Sequence, residues 1–214
     1  MKPRALIACE YSGVVRSEFN RLGWDAMSCD LLPTEIEGKH YQGSVFDILE
    51  DDWDIVVGFP PCTDLSGAGA PSWKIKQQDG RQQRAIEFVR RIESSKCIRI
   101  SIENPTGILS SAWRKPNQII NPFQFGEPFK KRTCLWLKGL PCLTPTNIVE
   151  PKYHFTSNST QGGMLADGTR RKSKLPIFKA WDSAKERSKT FKGIAIAMAE
   201  QWTSHIFPSG IPNL

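Results

Sequence analysis

The sequence predicts an open α/β fold: a doubly wound, mostly parallel sheet with helices packed on its faces. Three observations predict it. Short apolar runs at residues 4–9, 55–57 and 98–102 have the length and β-branched content of buried strands. Stretches of helical spacing separate them. Residues 4–30 run strand, turn, helix, strand, acid. That is the order of a nucleotide- or cofactor-binding half of such a sheet, in which the acid after the second strand accepts hydrogen bonds from a ribose.

Residues 4–9 give the first strand, and Glu10-Tyr11-Ser12-Gly13 follows as a tight turn. Val15, Phe19 and Leu22 share one face of a helix over 14–22, which Gly23 stops. Residues 25–29 form a second strand ending in Asp30, and Leu31 opens a polar loop to residue 39. A short third strand at 40–43 precedes Asp47. No G-x-G-x-x-G is present, so a dinucleotide is a poor fit. Ile55-Val56-Val57 is the next buried strand. Gly58 ends it, and Pro60-Pro61 pins a stiff loop that holds Cys62 at the carboxyl rim of the sheet. Residues 65–77, rich in Gly, Ala and Ser, read as a mobile loop over that rim. Residues 78–95 give the clearest amphipathic helix, with Ala85, Phe88, Val89 and Ile92 on one side. The strand at 98–102 ends in Glu103-Asn104-Pro105. A short helix at 110–115 and strands at 118–125 and 133–137 follow. Residues 140–189 lose periodicity, 190–202 return to helical spacing, and the tail 208–214 reads as frayed.

The chain has 214 residues, 39% of them hydrophobic, enough for one sizeable core plus a small appendage. No apolar run reaches the length of a membrane span, and the amino terminus has no signal-peptide architecture. The six cysteines form no C-x-x-C pair, which argues for reduced thiols and against a zinc site or a disulfide scaffold. No metal is expected. The net charge of +7 is unevenly placed: residues 129–192 carry 14 Lys/Arg against 4 Asp/Glu, while the remainder carries 15 against 18. A local basic excess of that size suits a polyanion such as DNA or RNA; its ordinary alternative is a solubilising face.

A thiolate is suited to attack on an electron-poor ring carbon. Such an attack on a pyrimidine needs a partner at the ring nitrogen as charge develops there, and a carboxylic acid with a raised pKa serves. Cys62 and Glu103 at adjacent strand ends supply that pair. Arg132, before another strand, is the best-placed cation to hold the nucleotide. The bland readings are a packing cysteine, a strand-end ion pair for Glu103, turn or capping roles for Asp30 and Asp47, and a solvated Arg132.

These motifs resemble, in order, those of the DNA (cytosine-5) methyltransferases. Glu10-Tyr11-Ser12-Gly13 resembles the family's F-x-G motif, and Phe59-Pro60-Pro61-Cys62 its P-C motif. Glu103-Asn104-Pro105 resembles E-N-V/P, Lys130-Lys131-Arg132 resembles Q-x-R-x-R, and residues 190–202 resemble the final helix. The resemblance implies a Rossmann-like methyltransferase fold, S-adenosylmethionine as cofactor and DNA as substrate. It implies Cys62 as nucleophile with Glu103 and Arg132 as its catalytic partners. Glu10, Tyr11, Ser12, Gly13, Asp30, Leu31, Asp47, Phe59 and Pro60 would hold the cofactor. Lys130 and Arg132 would contact DNA, with Arg170, Arg171, Lys172 and Lys174 on its phosphates. It divides the chain into a catalytic, cofactor-binding domain at 1–138, a short basic insert at 139–187 in place of a target-recognition domain, and a returning helix at 188–205. Target recognition is then slight or delegated to a protein partner. A cytoplasmic protein of a bacterial or phage-infected cell is expected.

The chain departs from the family pattern at Val15, where a second glycine is common, and at Cys62-Thr63, where Cys-Gln is usual. Two alternatives therefore stay open. One is a weak or inactive methyltransferase-like DNA-binding protein. The other is an enzyme acting on another base position or on free pyrimidine nucleotides.

Overall fold

The structure, a computed structural model, describes residues 2–155, 161–164, 170–172, 175–177 and 188–211. Its centre is a seven-stranded sheet of order β3-β2-β1-β4-β5-β8-β6. The strands are β1 (Arg4–Ala8), β2 (Asp25–Asp30), β3 (His40–Gln42), β4 (Ile55–Gly58), β5 (Ile100–Pro105), β6 (Gln118–Ile120) and β8 (Thr133–Lys138). Strands β1 to β5 are mutually parallel. Strand β8 runs antiparallel to β5 and to β6. The strand order reverses between β1 and β4, which makes their carboxyl ends the crevice where ligands bind in sheets of this kind. The helices are α1 (Val14–Arg21), α2 (Trp73–Gln78), α3 (Arg81–Glu93), α4 (Leu109–Ala112) and α5 (Lys192–Ile206).

Alternation along the strands builds two cores. Ala5, Ile7, Ile55, Val57, Leu135 and Leu137 face Val15 and Phe19 of α1 and Ile194, Met198 and Trp202 of α5. Leu6, Ala8, Val56, Ile100, Ile102, Cys134 and Trp136 face Ile86, Val89 and Ile92 of α3 on the opposite side. Each fully buried large aliphatic or Phe side chain contributes roughly 1.5–3 kcal/mol, so both layers are needed to fix the sheet. Helix α5 docks on α1 through polar contacts as well. Glu18 takes Arg21 at 2.7 Å and also Lys192, Arg21 reaches Glu200 at 2.7 Å, and Trp24 Nε1 donates to Thr203 at 2.8 Å. Gly193 admits α5 to this position: a Cβ there would meet the Phe125 carbonyl oxygen at 1.8 Å. Gly23, at φ 92°, ends the turn after α1 as expected.

Several elements differ from the expectation. Residues 65–77 are not a bare loop: a 3-10 helix at Gly67–Ser72 leads into α2. The amphipathic helix is shorter than 78–95, and its buried stripe runs through Gln82, Ile86, Val89 and Ile92, with Ala85 and Phe88 only half-buried. Ile98 is exposed, and β5 starts at Ile100 and runs through Glu103, Asn104 and Pro105, because β8 pairs with it to its end. The strand expected at 118–125 splits into β6 and a 3-10 turn at Pro122–Gln124, where Pro122 interrupts the ladder. The aperiodic stretch contains β9 (Tyr153–His154), which pairs in parallel with β7 (Phe129–Lys130) before it, and β10 (Gln161–Met164), which pairs antiparallel with β11 (Arg170–Lys172). Leu143 and Phe155 join the core of α5. Parts of the basic insert, and residues 212–214 of the tail, lie outside the described residues.

Candidate active site

The rim at the ends of β4 and β5 is built by backbone. Val57 pairs with Ser101 and Gly58 with Ile102, so Phe59 and Glu103 emerge side by side. Pro60 is buried, and its carbonyl accepts the Asn104 side-chain amide at 2.8 Å, which ties the proline loop to β5. Cys62 is exposed beyond it. Its carbonyl accepts the Leu65 and Ser66 amides at 3.0 and 2.9 Å, a tight turn that fixes the thiol's backbone. That turn is docked on the loop after β5: the Gly67 amide donates to Thr106 at 2.8 Å, and Ile108 donates to Leu65 at 2.9 Å. Gly107 permits the approach, since a Cβ there would lie 2.0 Å from the Leu65 oxygen. On the other flank, the buried Lys76 of α2 reaches the Thr63 carbonyl at 2.5 Å and the Asp64 carboxylate at 3.0 Å. The segment over the rim is therefore latched, not loose.

Desolvation by the surrounding chain, then the charge of Glu103, raise the Cys62 thiol above its ordinary value; Lys131 and Lys76 pull it back. Desolvation likewise raises Glu103, against the field of Lys131 and a hydrogen bond from Thr133. Cys62 thus feels the charge of Glu103. The other cysteines near the sheet are inert by comparison: burial pushes Cys29 to about 12 and Cys134 to about 11. A cavity of about 250 Å³ opens beside the same loop, lined by Pro61, Asp64, Arg81, Arg84, Ala85 and Phe88.

Around β1 and β2 the turn after the first strand is buried from Glu10 to Gly13. Glu10 is buried and turned onto its own helix. Its carboxylate accepts the Val15 amide at 2.7 Å, the Arg16 amide at 3.3 Å and the Ser12 hydroxyl at 3.1 Å. It caps α1, whose N-cap is Gly13 at φ 74° and offers no side chain of its own. Glu10 therefore shapes the turn in which Tyr11, Ser12 and Gly13 stand. Tyr11 reaches Ser188 at 3.3 Å, and its carbonyl accepts the Glu35 amide at 2.9 Å. Asp30 ends β2 half-buried. Leu32 donates its amide to one Asp30 oxygen at 2.9 Å, and among the described residues no protein donor meets the other. Leu31 and Asp47 are exposed, and Asp47 accepts the Tyr41 hydroxyl at 3.0 Å. The loop 31–39 is held by Arg16, which is fully buried and donates to Ser28 at 2.8 Å, to the Glu37 carbonyl at 3.1 Å and to the Ile36 carbonyl.

Among the basic residues, Lys130 lies in β7 and is half-buried. Arg132 is exposed, and the thiol that feels its charge is Cys134, not Cys62. The cation felt by both Cys62 and Glu103 is Lys131, which residue-type reasoning passed over. Arg170, Arg171 and Lys172 form β11, and only its backbone is described; Lys174 lies outside the described residues. Lys76 and Asn104 were also missed as site residues. Asn104 belongs to the Glu103-Asn104-Pro105 motif, whereas Lys76 is brought to the site only by the fold of residues 67–78.

A mostly parallel sheet of this order, with one reversed strand next to the edge, is that of a Rossmann-like S-adenosylmethionine-dependent methyltransferase fold. The family model of C-5 cytosine-specific DNA methylases matches residues 5–126, more than half of the chain, and the chain belongs to that family. Among solved structures it is similar to a protein described as a DNA modification methyltransferase encoded within an E. coli prophage, at 16% identity and a TM-score of 0.47. The match covers 70% of this chain and 52% of that one, so the chain spans about half of its length. No curated protein matches this chain. Among the described residues no helix is long and apolar enough to cross a membrane, and no cluster of metal-ligating side chains occurs.

Proposed function

We propose that the chain transfers a methyl group from S-adenosylmethionine to C5 of cytosine in DNA, through a covalent bond between Cys62 and C6. The observation that carries this reading is the emergence of the Cys62 loop and of Glu103 from neighbouring strand ends, with the charge of Glu103 pushing the Cys62 thiol toward its protonated form. A cytosine must leave the stack to reach them. The Cys62 sulfur adds to C6 while Glu103 holds N3 and the exocyclic amine, and this makes C5 nucleophilic. S-adenosylmethionine, when bound, supplies the electrophilic methyl group. Loss of the C5 proton to solvent or a base, and expulsion of Cys62, restore the aromatic ring and the thiol.

The residues fit the cofactor's chemistry. The unmet oxygen of Asp30 is a ribose acceptor at the strand end where that role belongs. Leu31, Phe59, Pro60 and Asp47 offer apolar and acceptor surface around it, and Tyr11, Ser12 and Gly13 form the turn beside it. Lys130, Arg132 and the β11 run Arg170-Arg171-Lys172, with Lys174, would meet phosphates. With so short an insert, target choice rests on these residues or on a partner protein.

Trapping on DNA that contains 5-fluorocytosine tests the reading. A covalent adduct on the Cys62 peptide, absent in Cys62→Ser, is expected, with 5-methylcytosine in digests of ordinary DNA. N4-methylcytosine, N6-methyladenine or methylated dCMP alone would replace this function with another.

A further inference from the structure

We propose that Lys131, and not Arg132, is the positioning residue that supplies positive charge to the Cys62–Glu103 pair. This rests on Cys62 being the nucleophile, yet its test needs no methyl transfer.

Sheet parity makes the argument. Glu103 on β5 is directly opposite Leu135 on β8, so their side chains share a face. Leu135 and Leu137 belong to the core under α1 and α5, whereas Cys134 and Trp136 belong to the core under α3. Counting back by twos puts Thr133, the first residue of β8, on the face of Glu103. Lys131 precedes the strand and is placed on that side by Phe155 and Phe191, which belong to the core under α1 and α5. The contacts agree. The Thr133 hydroxyl bonds Glu103 and lies 3.3 Å from the Lys131 carbonyl. The Lys131 ammonium stands 5.1 Å from the ring centroid of Phe155 and 5.7 Å from that of Phe191. Both rings are buried and meet edge to face at 4.9 Å, so the platform under the ammonium is rigid. Aromatic faces hold a cation while leaving it its charge.

The electrostatic consequence follows. A thiolate and a carboxylate side by side disfavour each other, and an ammonium near both offsets that penalty. Lys131 lowers both Cys62 and Glu103, while the field of Arg132 registers on Cys134.

The test is the rate of Cys62 alkylation by iodoacetamide, read peptide by peptide by mass spectrometry, at several pH values below the thiol's midpoint. Exposed Cys142 serves as the internal reference. Lys131→Met and Lys131→Gln are expected to slow Cys62 by about 3- to 10-fold, the effect of moving a thiol midpoint up by up to one unit. Lys131→Arg and Arg132→Met are expected to leave it within about 2-fold, and Glu103→Gln should speed it. The proposal is overturned if both Lys131 variants match the wild type, or if Arg132→Met is the one that slows Cys62. Methyl transfer absent alongside the expected alkylation series would remove the proposed function and leave this inference standing.

Discussion

Two glutamates sit at the carboxyl ends of strands in this sheet, and desolvation raises both above the ordinary value of 4.5. Glu10 follows β1 and Glu103 lies in β5. Glu10 is buried and accepts three hydrogen bonds from its own turn and helix. Glu103 is half-buried, receives one hydroxyl from Thr133, and faces a lysine and a thiol. The titration shift alone does not separate a helix cap from a catalytic acid. What separates them is how many donors the protein itself supplies: Glu10 takes two backbone amides and the Ser12 hydroxyl, whereas Glu103 keeps more capacity for a ligand. Burial raises a carboxyl in either setting, and only the second setting leaves it able to do chemistry.

The largest effects should come from the nucleophile rim. Cys62→Ser should abolish methyl transfer while leaving cofactor affinity, measured by calorimetry, unchanged. Glu103→Gln should cost about 10²- to 10⁴-fold in rate, the usual worth of a positioned acid. Glu10→Gln, at the other strand end, should keep activity per folded molecule within about 10-fold, because the amide oxygen still caps α1. If the two glutamine variants lose activity equally, the distinction between cap and acid collapses.

Stability should invert that order. Glu10→Ala strips the acceptor from the Val15 and Arg16 amides in a buried setting and should cost about 2 kcal/mol in urea unfolding. Glu103→Gln should cost little, since a neutral isostere carries less desolvation penalty. A Glu10→Ala protein as stable as the wild type would mean that water replaces the cap, and that the turn is more open than its burial indicates.

Much of this was legible in the sequence because local signals and the fold agree. The β-branched run Ile55-Val56-Val57 could only be a buried strand, and Pro60-Pro61 could only be a stiff loop after it. The spacing of Val15 and Phe19 marked α1, and Phe191, Ile194 and Met198 marked the face of α5. What stayed hidden depends on pairing. The prolongation of β5 through Glu103 comes from β8, which lies 28 residues further along from Pro105 to Thr133. Lys130-Lys131-Arg132 offers three cations in a row, and only the packing of Lys131 over Phe155 and Phe191 tells them apart. The Gly/Ala/Ser-rich stretch at 65–77 carries no periodicity; its order comes from tertiary contacts such as Lys76 with Thr63 and Asp64. Glu10 stands in a motif, and a motif carries no trace of the cap geometry that the closed turn creates.

The smallest expected effect is a pH dependence, and it uses a third glutamate as contrast. Glu103 is raised above 4.5 in the folded state, so the folded protein holds its proton more tightly than the unfolded chain. The stability linked to it is complete below pH 4.5 and declines as pH rises through the folded value, by at most about 1.4 kcal/mol per pH unit. Glu18 behaves oppositely. Despite desolvation, bonds from Lys192 and Arg21 hold it below 4.5, so its contribution is present above that pH and is lost as pH falls. Urea unfolding of wild type, Glu103→Gln and Glu18→Gln between pH 4 and 8 separates the two. The stability of wild type relative to Glu103→Gln should fall with rising pH and then level off. Relative to Glu18→Gln it should grow with rising pH and level off early. A flat or rising difference for Glu103→Gln would show that its carboxyl is solvated like a surface group, and it could not then serve as the raised acid beside Cys62.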